Sequence, residues 1–295
     1  MSEDVLTQHN SRLRALDDLL GASTELPLAT DNDTLLSTDG GEALARVNRV
    51  DTDSFLAAFS AAENHQLIAR VAGSEAMSDL LDQWVAQLPT RLGPDAEASL
   101  TWPSRDVAMA HLFKVHGLAP NVIVAARRSG TPIPLGTDTV TVRPLTEADL
   151  TVATQLWMEV VAWDNHFLNH PNRPATEKNI HDMLVADLDD DPWTWVAQQG
   201  SDIIGLLSLS KPERSAWVQP MVAIEPVSYL MCLGVSARAR SGGVGAALVN
   251  RAHSTLEKAG IPVTLLHYNA WNPLSGPFWH RLGYRPLWTS WVRRR

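Results

Sequence analysis

Residues 240–245 read Arg240-Ser241-Gly242-Gly243-Val244-Gly245 and stand between an apolar strand pattern and an amphipathic helix pattern. These residue types in this place suit one chemistry, the holding of a pyrophosphate against backbone amides. A helix start leaves up to about four N–H groups without intrahelical partners and carries positive dipole character. Glycines at 242, 243 and 245 remove Cβ obstruction and permit left-handed φ angles. Arg238 and Arg240 add positive charge at the rim. No lysine followed by Ser or Thr comes after the glycines, so the turn is not a Walker loop. Nor is it G-x-G-x-x-G, and no acidic residue closes a second strand ~20 residues on.

The flanking elements position this turn. Tyr229 to Val235 alternates as a strand, with Tyr229, Met231, Leu233 and Val235 expected on one side and Leu230, Cys232 and Gly234 on the other. Cys232 then reads as a small buried hydrophobe. After the turn, Val244, Leu248, Ala252 and Leu256 make a four-residue stripe; Lys258, Gly260 and Pro262 end the helix. Upstream, a strand at 139–143 precedes a helix capped by Thr146 or Asp149, with Leu150, Ala153, Leu156, Trp157 and Val160 on its apolar side. The segment from Trp163 to Pro171, with Asp164, His166 and His170, reads as a polar loop. A second helix through Ile180, Met183, Leu184 and Leu188 runs into Asp189-Asp190-Asp191-Pro192, and a hairpin follows at 193–210.

Gly130, Pro132, Pro134 and Gly136 mark residues 129–138 as a linker between two halves. The halves share a pattern. Gly117 and Pro120 recur as Gly283 and Pro286 at the same offset of 166 residues, Phe113 meets Trp279, and Asp106 meets Asn272. At that offset the glycine turn falls on residues 74–79, Ser-Glu-Ala-Met-Ser-Asp, which hold no glycine and two acids. A duplicated first half has therefore lost the phosphate-binding turn.

Arg240-x-x-Gly243-x-Gly245 after an apolar strand resembles the acetyl-CoA signature of the GNAT acyltransferase superfamily. Asn272-Pro273 and Phe278-Trp279-x-Arg281-Leu282-Gly283-Tyr284-x-Pro286 resemble that family's second signature. The resemblance covers residues 229–286 and implies an α/β fold of two GNAT-like halves, 1–130 and 139–295. Each half would be a mixed, mostly antiparallel sheet flanked by helices, the first reduced and degenerate. It further implies acetyl-CoA as acyl donor. Backbone groups along Leu233, Gly234 and Val235 would pair with the pantetheine arm. Amides from Arg240 through Ser241, Gly242, Gly243, Val244 and Gly245 to Ala246 would hold the pyrophosphate, and Asn272 and Phe278 would contact the arm from the other side. The family's usual reaction is direct transfer of acetyl to an amine.

Two positions depart from that pattern. Trp279 stands where many members carry a tyrosine acid, and an indole N–H does not titrate usefully. Tyr229 occupies the region where many carry a glutamate base. Amine attack still needs a proton acceptor. Glu225, just before the strand, is one candidate; Asp164 and His166 on the acceptor side are others. His267 and Tyr268 end the strand after the cofactor helix, and Tyr268 is the choice for a replacement acid. No metal constellation or Gly-x-Ser-x-Gly is present.

Bulk properties narrow the setting. The net charge of −9 argues against broad binding to nucleic acid or an anionic membrane. No apolar run approaches the ~20 residues that span a bilayer, and no signal peptide is visible. Cys232 is the only cysteine, which suits a reducing cytoplasm. Nine of eleven tryptophans follow residue 150, enough for two or three to wall an acceptor pocket beyond those that pack the core. Three readings stand: a cytoplasmic acyltransferase acting on a small-molecule amine, a non-catalytic acyl-CoA-binding protein or regulatory subunit, and a different anion binder such as a nucleotide binder. A homodimer is left open.

Overall fold

The computed structural model describes residues 2–294 except 133, 135, 169, 170 and 189–192. In chain order the first half gives α1 (Ser2–Leu16), β1 (Thr34–Thr38), β2 (Gly41–Arg49), β3 (Glu63–Val71), α2 (Ser74–Gln87), β4 (Ala96–Pro103), α3 (Val107–Val115) and β5 (Ala119–Arg128). The second gives β6 (Thr141–Pro144), α4 (Leu150–Leu168), α5 (Thr176–Leu188), β7 (Thr194–Gln199), β8 (Asp202–Ser210), β9 (Val227–Val235), α6 (Val244–Lys258), β10 (Val263–Asn269), α7 (Ser275–Arg281) and β11 (Arg285–Arg293).

All of these strands form one sheet, ordered β1-β2-β3-β4-β11-β5-β10-β9-β8-β7-β6. Only β3–β4 and β9–β10 pair in parallel. The sheet does not divide at the linker. Each half lends its last strand to the other: β5 lies between β11 and β10, and β11 between β4 and β5. The apolar run Val122-Ile123-Val124-Ala125-Ala126 suits a strand buried on both faces. Val124 and Ala126 join the core with Leu265 and Leu287, while Ala125 packs on the α6 and α7 side. Buried Arg127 stitches the exchange, donating from Nη1 to His253 Nδ1 of α6 (2.9 Å) and from Nε to the Leu282 carbonyl (3.0 Å). Positions at the 166-residue offset share geometry: Gly117 and Gly283 have φ of 79° and 84°.

Around the second half, α6 and α7 cover one face and α4 and α5 the other; neighbours Leu207 and Leu206 of β8 fall in the two separate cores. The α6 stripe of Val244, Leu248, Ala252 and Leu256 is buried. Both capping candidates act together at the start of the α4 region. Thr146 and Asp149 form a capping box, and Arg143 clamps Asp149 at 2.6 and 2.8 Å. The loop expected from Trp163 is instead helical through Leu168. Packing of Trp163 and Phe167 against each other overrides the weak helix preference of Asp and Asn there. His170 and the 189–192 segment lie outside the described residues. Among the described residues no helix is long and apolar enough to cross a membrane.

The linker does more than connect. Pro134 accepts a hydrogen bond from Asn250 Nδ2 of α6 (3.2 Å), and Gly136 lies so close to Ala247 that a Cβ would meet its backbone. Thr137 rests against Gly243. The crossing thus runs over the first turns of α6, beside the glycine turn.

Candidate active site

The site begins where two parallel strands part. Strands β9 and β10 pair from Val227–Val263 to Leu230–Leu266 and no further. A bulge in β9 falls at the same level, since Leu209 faces Leu230 while Ser208 faces Cys232. The extra residue, Met231, reverses the alternation. Leu233 and Val235 therefore share the α6 face with Leu230, while Tyr229 joins the opposite core. This corrects the simple alternation expected for the strand. Beyond the bulge, the β10-facing edge of β9 is left open, with backbone groups that must find partners elsewhere.

The glycine turn closes one end of the opening. Gly243 is the N-cap of α6, at φ 82° and ψ −1°, and no side chain caps the helix. Ser241 also has positive φ, 64°. The first N–H groups of α6 therefore face outward in a concave turn, the arrangement that binds anions. Gly245 is required for a different reason. A Cβ there would sit 3.1 Å from Phe278 Cζ, so its absence lets α7 approach the helix start.

Turn, strand edge and α7 enclose a cavity of about 510 Å³. Its lining includes Leu233, Val235, Arg240, Ser241, Gly243, Val244, Gly245, Ala246, Asn272 and Phe278, all expected from the sequence. Gly234 and Gly242 belong to the same segments but are not in the lining. The size is that of a small-ligand site.

The far wall comes from α4 and the β10–α7 loop. Asn272 Oδ1 accepts from Trp163 Nε1 (3.3 Å), Leu274 N–H (3.0 Å) and Ser275 N–H (3.3 Å). These three donors fix the amide, so its Nδ2 donates to Asp164 Oδ1 at 3.0 Å. Burial raises the Asp164 pKa to about 6, partly opposed by the Asn272 bond. The Arg240 guanidinium lies 5.7 Å from the Trp163 ring centre while its Nε donates to the Val235 carbonyl (3.1 Å). Trp163 and Trp279 both line the cavity. Asp164 and Asn272 were candidates from the sequence, but their link through Trp163 escaped it because the segment from Trp163 reads as a loop; an aromatic-acid pair extending the α4 stripe was the available signal.

Other candidates stand elsewhere. Glu225 is exposed at the opposite end of β9, outside the cavity. Its strand must run the length from Val227 to Leu233 to reach the lining. Tyr268 is not in the lining either; its hydroxyl meets His280 Nε2 at 3.0 Å, and burial pushes its pKa up to about 12. His166 is exposed and bonds carbonyls of its own helix. Tyr229 hydroxyl meets His267 Nδ1 at 2.7 Å, under the stacked ring of Trp217. Burial lowers the His267 pKa to about 4 and raises that of Tyr229. Cys232 is buried and its thiol pushed up, as its place in the core demands.

The first half has a matching gap. Strands β3 and β4 part after Leu67–Leu100. There α1 fills the opening: the His9 ring lies within 3.4 Å of both the Val71 N–H and carbonyl and packs on Trp102. Arg12 clamps Asp106, the counterpart of Asn272, at 2.5 and 2.6 Å.

The chain resembles known proteins in its fold. The acetyltransferase (GNAT) family profile matches residues 157–284. A GCN5-related N-acetyltransferase from Sphaerobacter thermophilus superposes with a TM-score of 0.57 at 14% identity, covering 86% of this chain and 80% of that one. A GNAT-family acetyltransferase from Colwellia psychrerythraea gives 0.53 at 9% identity, covering 98% and 97%. At such identities the likeness concerns the fold, and it extends over both halves. A search of curated proteins finds no relative.

Proposed function

From a chain that carries a GNAT-family acetyltransferase domain at residues 157–284, we propose an enzyme that moves acetyl from acetyl-CoA to the amine of a small molecule by direct attack. The observation that carries this reading is the joining, in one cavity, of an uncapped helix start at Gly243 and an open strand edge at Leu233 and Val235. A pyrophosphate fits the first, and an amide-bearing arm fits the second as an added strand. Arg240 swings from the Val235 carbonyl to the phosphates and frees that carbonyl for the arm. Asn272 and Phe278 hold the arm against β9. The thioester carbon then lies toward the far wall, where the acceptor nitrogen attacks it.

The filled gap between β3 and β4 supports one donor site per chain. Gly73 caps α2 in extended conformation and the residues after it include Glu75, so the first half offers no comparable cradle.

A second reading, an acyl-CoA-binding protein without turnover, draws on Trp279, which is buried against Phe278 and Tyr284 and supplies no acid. Thiol release from acetyl-CoA across a panel of primary amines separates the two. Release with at least one amine is expected. Tight acetyl-CoA binding with no release would favour the binding protein.

A further inference from the structure

Of the described residues that line the cavity, Asp164 alone can exchange a proton near neutral pH. Among the described residues the lining holds no His, Cys, Lys, Tyr or Glu; its other charged side chains are the guanidinium groups of Arg240 and Arg281. Position strengthens the case. Asp164 stands on α4 and lines the cavity beside the loop that carries Asn272. Its Oδ1 is held by an amide that three donors have locked. Among the described residues no hydrogen bond engages Oδ2, which leaves one carboxylate oxygen for a ligand.

We propose that Asp164 is the catalytic proton acceptor for the acceptor amine, and that Asn272 positions it. The proposal rests on the acyltransfer reading given above. A primary amine reaches the cleft as its ammonium ion, drawn by the carboxylate. Asp164 Oδ2 takes one proton from the ammonium, and the freed lone pair attacks the thioester carbonyl carbon. The N–C bond forms and the C–S bond breaks with its electron pair leaving on sulfur. The second nitrogen proton passes to that sulfur, giving the free thiol and the amide. The proton on Asp164 returns to solvent.

The surroundings tune the group for this task. Burial disfavours the carboxylate and makes Asp164 a stronger base than an exposed aspartate, while leaving it mostly ionised at neutral pH. Cys232 from β9, whose buried thiol is pushed up, and Asn272 from the loop stand against it, and Arg240 from the turn and Arg281 from α7 line the same cavity. Arg240 is engaged by Trp163 and Val235 before the donor arrives and by phosphate afterwards.

The test uses the full chain, Asp164→Asn and Asp164→Glu, with acetyl-CoA and a panel that includes phenethylamine, tyramine and putrescine. Calorimetric acetyl-CoA affinity is expected to stay within about threefold in both variants, which also reports that they are folded. Asp164→Asn should lose about a hundredfold or more in kcat and its acid limb, and Asp164→Glu should recover part of both. Independently of turnover, the carboxyl carbon signal of labelled aspartate that disappears in Asp164→Asn should titrate with a midpoint near 6. A kcat within about threefold of wild type in Asp164→Asn, with an unchanged pH profile, overturns the assignment while acyl transfer stands. So does a carboxyl midpoint in the ordinary aspartate range near ~4. A wild-type chain that binds acetyl-CoA but releases no thiol with any amine removes the acyltransfer reading and this assignment with it.

Discussion

Replacing Ala246 by Asp separates donor binding from folding. Ala246 is half-buried in the first turn of α6, three residues past the Gly243 N-cap, and lines the cavity beside the glycine turn. A carboxylate in a first helical turn complements the macrodipole and adds about 0.3–1 kcal/mol to the helix, so Tm should hold or rise slightly. In the proposed donor placement the same carboxylate faces the pyrophosphate. At about 6 Å and an effective dielectric of about 40, like unit charges repel by about 1.4 kcal/mol, and two phosphate charges by about 2.8 kcal/mol. That is a roughly hundredfold loss in Kd for CoA. Ala246→Asn, of equal size and no charge, should lose less than about fivefold. Gly243→Asp mixes the two effects, because φ there is 82° and a Cβ would sit 3.1 Å from Thr137 N. Calorimetric titration with CoA beside thermal melts is the assay. A folded Ala246→Asp chain with CoA affinity within about threefold of wild type would refute the placement of the pyrophosphate.

Tyr268→Phe and Glu225→Gln should each keep kcat within about threefold in the thiol-release assay, because neither residue lines the cavity; a hundredfold loss in Tyr268→Phe would restore it as the acid. Acid should destabilise the fold from about pH 6.5 downward. Buried His9 and His253 are lowered to about 4 and 3, first by burial. The unfolded chain takes up their protons near ~6.5 while the folded chain does not, so stability falls with pH through that window, by about 2 kcal/mol per histidine at about pH 5. Urea melts of wild type and His253→Gln between about pH 5 and 7 check this; equal pH slopes in the two proteins would contradict it.

The glycine-turn side of the cavity was legible because it is written in local signals. Glycines before a helix stripe, and Asn272 and Phe278 at family spacing, specify backbone geometry that few residues permit, and most of those residues line the cavity. The α4 side was less legible. Whether Trp163, Asp164 and His166 belong to loop or helix depends on packing between α4 and its neighbours, which the weak local propensities of Asp and Asn do not report. The β9 bulge hid the true faces of Tyr229 and Leu233, because one inserted residue reverses every later side chain. The exchange of β5 and β11 was invisible for a similar reason. An apolar run such as residues 122–126 says that a strand is central, but not between which partners. The α1 helix that fills the first-half gap carries no motif at all; only His9 and Arg12 meeting Val71 and Asp106 reveal it.

The proposed acyl transfer rests on a single acyl-CoA site at the parting of β9 and β10. Calorimetric titration of the full chain with acetyl-CoA tests it most directly, with Ala246→Asp alongside. One site per chain is expected, weakened about a hundredfold by the variant. Two equivalent sites, or wild-type affinity retained in Ala246→Asp, would contradict it, and no binding at millimolar acetyl-CoA would contradict it outright.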